Sequence, residues 1–239
     1  DALGWGSAPS SDPDPIQPPD AFLSRGLEVH PAASSPDLEL WLDPAFIRPG
    51  YSWIFPAAEE LRIGVGSFDP NIKVKDPTLR LAQANNLPPD GYQGNWIPHR
   101  LREATDDGVF FAGDSAGHCL PASAEGIRPA LYFGIAAGRE IAAVLAGRQT
   151  RSEALTRYAE FHERHRRAYE VLWYVQRSVG PLNGESKLMD RLISFFGRRR
   201  VARWCFDRYL GIAPPEYVSR GLPATHRAPT PERPAVASR

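Results

Sequence analysis

Only two cysteines, Cys119 and Cys205, and one methionine, Met189, occur in 239 residues. Two cysteines cannot build a disulfide scaffold in a chain of this length, and they fit a reducing, cytosolic setting. An excess of charge is missing as well. The 28 basic residues balance the 28 acidic ones, so nothing global points to nucleic acid or to an acidic surface as partner. No apolar run approaches the roughly 20 residues that cross a bilayer, and no signal peptide is visible. Internal repeats are absent. So is a Gly-x-Gly-x-x-Gly turn between a strand and a helix: "GVGSFD" has Gly64 and Gly66, but Asp69 stands where the third glycine belongs.

What the chain does have is unevenly distributed. Residues 7–20 hold five prolines among Ser and Asp and read as a loop or linker. Residues 27–112 alternate short apolar runs with turn signals, as strands do. Residues 113–210 carry helical patterns, and the proline-rich stretch from Gly211 buries too little to offset its ordering entropy, so it reads as disordered. The whole is long enough to bury a sizeable core.

Several elements are legible. "YSWIFPAAEELRIGVG" predicts an antiparallel hairpin with Tyr51, Trp53 and Phe55 on one face, and with Glu59-Glu60 at the turn. "DLELWLD" alternates Leu38, Leu40 and Leu42 against Glu39 and Trp41. "GVFFA" is a short continuous apolar run, which suits a strand buried on both faces in a parallel sheet. From Glu125 onward, Ile127, Leu131, Ile135, Ala142 and Leu145 mark one helical face, with Gly134 and Gly138 allowing close approach. Residues 152–179 read as one long helix in which His162 and His165 are packing or surface residues rather than metal ligands.

The densest stretch is "FAGDSAGHCLPASAEGIRPALYFG", residues 111–134. It places an Asp and four glycines beside one helix start. A bare helix N-terminus presents unpaired N–H groups and partial positive charge to an electron-rich ligand. The same glycines and Pro121 also suit a plain connection between strand and helix.

Together with the preceding strand, this stretch resembles the second FAD-binding motif of flavoprotein oxidoreductases of the geranylgeranyl reductase and p-hydroxybenzoate hydroxylase type. There, a strand leads to Gly-Asp, a small pair and Gly, then to a Pro-containing loop that ends at a helix start. The resemblance implies FAD as cofactor, held by Gly113, Asp114, Gly117, Pro121, Glu125, Gly126 and Ile127. Asp114 would accept a ribityl hydroxyl, and the amides near Glu125, Gly126 and Ile127 would face the flavin N1/O2 edge. "PGYSWIFP" is similar to the family's Pro-x-x-Tyr-x-Trp-x-Phe-Pro substrate signature, which implies Tyr51, Trp53 and Phe55 as substrate-binding residues. The leading proline falls at Pro49 where the signature would have it at Arg48. "DALGWGS" resembles the end of the family's middle conserved segment. His118 and Cys119 are the nearest candidates for a proton donor, and no catalytic residue is assigned.

The implied fold class is α/β (α+β): a partial FAD-binding domain with an inserted antiparallel substrate-binding sheet and a helical C-terminal extension. Residues 1–20 would close an FAD-domain segment and linker, 21–100 form the substrate-binding β-rich domain, 101–150 return as the FAD-binding strand, turn and helix, 151–210 make the extension, and 211–239 form the tail. The implied activity is an FAD-dependent oxidoreductase reducing C=C bonds of an apolar, isoprenoid-like substrate, with reduced nicotinamide or another electron donor. A flavin monooxygenase or halogenase is the enzymatic alternative, and a non-catalytic fragment is the other class. The opening at Asp1 reads as the middle of something longer, which as an isolated chain would be incomplete and inactive. "RLISFFGRRRVARWCFDRYLG" is either a solvated basic face over a small apolar cluster or a peripheral membrane contact.

Overall fold

The computed structural model describes residues 23–179, 191 and 194–217. "DALGWGS" and the proline-rich linker lie outside them, as do Met189 and the tail beyond Tyr217.

A five-stranded antiparallel sheet forms the first half. Its strands are β1 (Leu23–Val29), β2 (Glu39–Trp41), β3 (Gly50–Ala57), β4 (Glu60–Ser67) and β5 (Gln93–Pro98), in the order β2-β3-β4-β1-β5. The expected hairpin is β3–β4, paired from Gly50↔Ser67 to Ala57↔Glu60. Its turn is Ala58-Glu59, with Glu60 already in β4.

One sheet face packs on a helix that the sequence reading did not anticipate, α1 (Lys75–Ala84). Val29, Ile54, Leu61, Ile63 and Val65 from the strands meet Val74, Leu81 and Ala82 there. Trp41 packs against this core, its ring tilted by 54° to that of Phe46 at 5.9 Å. The three leucines beside it point the other way: Leu38, Leu40 and Leu42 are exposed. Alternation along β2 is real, but the buried side is the one that carries the single large ring.

The second half is helical. A two-stranded ribbon, β6 (Thr105–Asp106) with β7 (Val109–Phe110), leads into it. The expected doubly buried parallel strand is therefore a half-buried antiparallel one. Among the described residues there is no parallel strand for it to join. Helix α2 (Ile127–Leu145) follows, then α3 (Arg151–Glu163), α4 (Arg166–Val179) and α5 (Arg199–Leu210). α3 starts at a capping box in which Thr150 and Glu153 bond each other's backbone N–H groups. The expected single helix over 152–179 is two, separated at Arg164–His165.

α2 buries Pro129, Tyr132, Phe133, Ala136 and Ala137 against α3, α4 and Tyr217. The face expected from periodicity is the open one: Ile127 is 80% exposed and Leu145 84%. A Cβ added at Gly134 or Gly138 would meet nothing within 4 Å, so no described element makes the anticipated close approach. The segment assigned to the tail is partly folded. Ala213 is fully buried, and Tyr217 packs against Tyr132 at 4.6 Å. On α5, Arg199, Arg200, Arg203 and Arg208 are exposed together with Trp204 and Phe206.

Candidate functional site

Four residues after β7 begins, the backbone turns sharply. Gly113–Ala116 make one turn of 3-10 helix, closed by Gly117 in the left-handed region at φ 68°. A side chain at Gly117 is excluded twice over. Its φ is one that L residues rarely adopt, and a Cβ would lie 1.7 Å from the Arg100 carbonyl oxygen. The turn is held by Gly117 N donating to Asp114 O at 3.0 Å and His118 N to Gly113 O at 3.1 Å. Tyr158 OH anchors the strand exit by donating to Phe111 O at 2.7 Å.

His118 is a fastener of this turn. Its Nδ1 accepts from Gly113 N at 2.9 Å, and its ring stacks on Phe133 at 3.9 Å. The side chain is fully buried. Burial pushes its pKa well down, and His162 and His165 push the same way. Cys119 is also buried, and desolvation raises its thiol, with Asp114 and Glu125 adding to the effect. A neutral, enclosed imidazole and a protonated thiol make a firm floor. Neither is presented at a surface where a substrate would meet it.

Asp114 differs. It lies inside the 3-10 turn, four residues beyond the end of β7 rather than at the strand's end, and its side chain is exposed. Partial desolvation raises its pKa. Gly126 faces it across the site: a Cβ there would lie 3.8 Å from Asp114 Oδ1 and 3.7 Å from Cys119 Sγ. Gly126 begins α2 with no side-chain cap, so the first N–H groups of that helix have no side-chain partner from the capping position.

The intervening loop is tightly built. Leu120 N donates to Glu125 O at 2.9 Å, and Ala124 N to Leu120 O at 3.0 Å. Pro121 is buried at its start. Ala122 and Ala124 adopt positive φ, at 68° and 53°, a conformation that surrounding contacts must enforce. The enforcing contacts are visible. Buried Gln176 accepts from Ala122 N at 2.7 Å, and Ser123 Oγ pairs with Tyr209 OH at 2.7 Å.

Glu125 points away from the open side of the turn. It receives Arg128 Nε and Nη2, each at 2.7 Å, and a short bond from Tyr209 OH. Burial alone would raise its carboxyl, but those hydrogen bonds and the Arg128 charge hold it below the usual range. Arg128 Nη1 also reaches the Leu210 and Ala213 carbonyls. The end of α5 is thereby stapled to the start of α2. Sequence reasoning missed Arg128, Gln176 and Tyr209, because their partners lie up to 86 residues away along the chain.

The aromatic strand comes to the same place. Tyr51 OH donates to Ser123 O at 2.5 Å. Tyr51, Trp53 and Phe55 are half-buried on the sheet face opposite the α1 core, with ring separations of 5.7 and 6.2 Å along the strand. They are therefore not the filling of that core. They form an apolar, partly open face that abuts the loop leading into α2.

Two sequence motifs, about 60 residues apart in the chain, thus meet at one place. A geranylgeranyl diphosphate reductase of Rhodobacter capsulatus is 32% identical over 168 residues, 67% of this chain and 41% of that protein. A digeranylgeranylglycerophospholipid reductase of Methanococcus vannielii is 25% identical over 126 residues, 48% of this chain and 32% of that protein. The chain belongs to the geranylgeranyl reductase-like family. It spans less than half the length of the curated relatives it matches. A geranylgeranyl bacteriochlorophyll reductase-like protein of Thermoplasma acidophilum shares the fold, with TM-score 0.64 and 17% identity over 86% of this chain and 55% of that one. No protein-family model matches. No described helix is long and apolar enough to cross a membrane.

Proposed function

We propose that this chain is the substrate-binding and flavin-side portion of an FAD-dependent oxidoreductase that reduces C=C bonds of an isoprenoid-like substrate. The observation that carries the reading is the bond from Tyr51 to Ser123 O, which sets the aromatic face against the loop and helix start where the flavin would lie.

The residues fit the group. Gly113, Gly117 and Gly126 carry no side chain on the turn or at the helix start, and a Cβ at Gly126 would make only ordinary contact with Asp114 and Cys119, on the side where the flavin would lie. The uncapped start of α2 offers N–H donors and partial positive charge to an electron-rich ring edge. Asp114 offers a carboxylate to hydroxyl groups. Ile127, open to solvent, would cover an apolar ring. A flavin bound there would supply hydride to one carbon of the substrate double bond, and the other carbon would take a proton from solvent, giving a net gain of H2.

The chain's own residues do the rest. Tyr51, Trp53 and Phe55 receive the apolar chain and exclude water from it. His118 and Cys119 hold the turn rather than move protons. The Glu125–Arg128–Tyr209 cluster fixes the helix start, so the donor groups are pre-positioned. Domain roles follow the same division: residues 23–100 for substrate, 101–150 for the flavin end, and the later helices as a brace.

Expression of the full-length protein tests this. It should carry a flavin absorption band and, with an added reductant, convert geranylgeranyl diphosphate to products heavier by one H2 for each double bond reduced. A flavin-loaded protein that leaves the prenyl chain unchanged, or that releases an oxygenated product, would overturn the reductase assignment.

A further inference from the structure

We propose that Gly64, acting through Trp53, is the specificity-determining residue that lets the sheet face accept a long prenyl chain; this rests on the substrate reading above. The open face of the sheet contains a cross-strand row Leu40–Trp53–Gly64–Glu28–Gln93 and beside it the row Tyr51–Gly66–Gly26–Asn95. Glycine in the interior of a strand costs conformational entropy and gives up packing. Three glycines meet here on one face of the two central strands. Pairing runs without interruption through all three, so no bulge explains them.

Trp53 does. A Cβ at Gly64 would lie 2.1 Å from Trp53 Cζ2 and 2.3 Å from Cε2. At Gly66 it would lie 3.3 Å from Cζ3, and at Gly26 3.7 Å from Cη2. The indole therefore rests on bare backbone, closest at Gly64. Its Nε1 donates to Glu28 Oε2 at 3.3 Å, and Glu28 is itself held by Arg62 at 3.0 Å. Laid down in this way, Trp53 is continuous with Tyr51 and Phe55 as an aromatic platform about 13 Å long, the span of four strand residues. Any side chain at position 64 would lift the indole off the sheet. Its ring would then stand in the path of a chain that runs from the α2 loop toward Glu28.

Affinity of the full chain for geranylgeraniol and for the shorter geraniol, measured by titration calorimetry, tests the inference in a double-mutant cycle. Gly64→Ala should weaken geranylgeraniol by about 10-fold or more, with less effect on geraniol, and in a Trp53→Ala background the same change should be worth no more than about 2-fold. A Gly64→Ala loss that persists undiminished beside Trp53→Ala, or no loss at all, would overturn it. If Gly64→Ala alone fails to fold, the double variant should fold and bind, because the clash partner is gone; failure of both would also overturn it. Wild-type protein that binds neither alcohol would instead contradict the substrate reading.

Discussion

Tyr51 of the aromatic strand donates its hydroxyl to the Ser123 carbonyl in the loop before α2, 72 residues away in sequence. Burial raises the phenol's pKa, with Cys119 and Glu125 reinforcing the effect, so it stays a donor at every physiological pH. Tyr51→Phe removes that bond and leaves the ring in place. We expect a stability loss of about 1 kcal/mol, with faster amide exchange in residues 122–125. Thermal unfolding and hydrogen exchange check this; unchanged exchange would mean the loop is held entirely by Gln176 and Tyr209.

Asp114 is the proposed acceptor for a flavin hydroxyl. A charge-assisted hydrogen bond is worth about 1.5–3 kcal/mol, so Asp114→Ala should weaken FAD binding by about 10- to 100-fold. Quenching of flavin fluorescence measures it. An unchanged dissociation constant would make the carboxylate a turn former only.

Three buried histidines predict acid sensitivity. Burial lowers the pKa of His99 and of His162 from 6.5 to about 4, and it holds that of His118 well below the ordinary imidazole value. Above pH 6.5 neither folded nor unfolded chain protonates them, and their effect on stability is nil. As pH falls from 6.5 toward 4, the unfolded chain binds protons that the folded one refuses, so stability drops, by several kcal/mol in sum. Denaturant midpoints across that window should fall steadily. His162→Phe should flatten the slope, and an unaltered slope would show that other groups set it.

Arg128 holds Glu125 through two hydrogen bonds and caps two carbonyls near the end of α5. Arg128→Met strands the carboxylate and frees those oxygens. A loss of about 2 kcal/mol or more is expected, with α5 the first element to lose exchange protection. Simultaneous loss across the whole molecule would count against a local staple.

Local pattern carried some of this fold and not the rest. Strict alternation made β3 and β4 readable, because one of their faces is packed on a core. α1 escaped notice because its apolar set, Pro77, Leu81 and Ala82, is small. α2 is apolar on two sides, and periodicity cannot say which side the described residues cover; Tyr132 and Phe133 face inward while Ile127 and Leu131 do not. The apolar run at Val109–Ala112 states burial, not which strands provide it. At the site, the glycines and Asp114 could be found by spacing and resemblance. Arg128, Gln176 and Tyr209 could not, since their roles exist only once distant segments meet.

In the proposed site a ligand, not protein, fills the space in front of Gly126. That residue has an ordinary negative φ of −110°, and an added Cβ would make only ordinary contacts, 3.7–3.9 Å from Cys119 and Asp114. Gly126→Ala should therefore leave the melting temperature unchanged or slightly raised, as Gly-to-Ala changes at unstrained positions do. The most direct measurement is FAD affinity of this variant beside its melting temperature. A loss of binding of about 10-fold or more with stability intact is the predicted result; full FAD affinity would contradict a flavin seated at the start of α2.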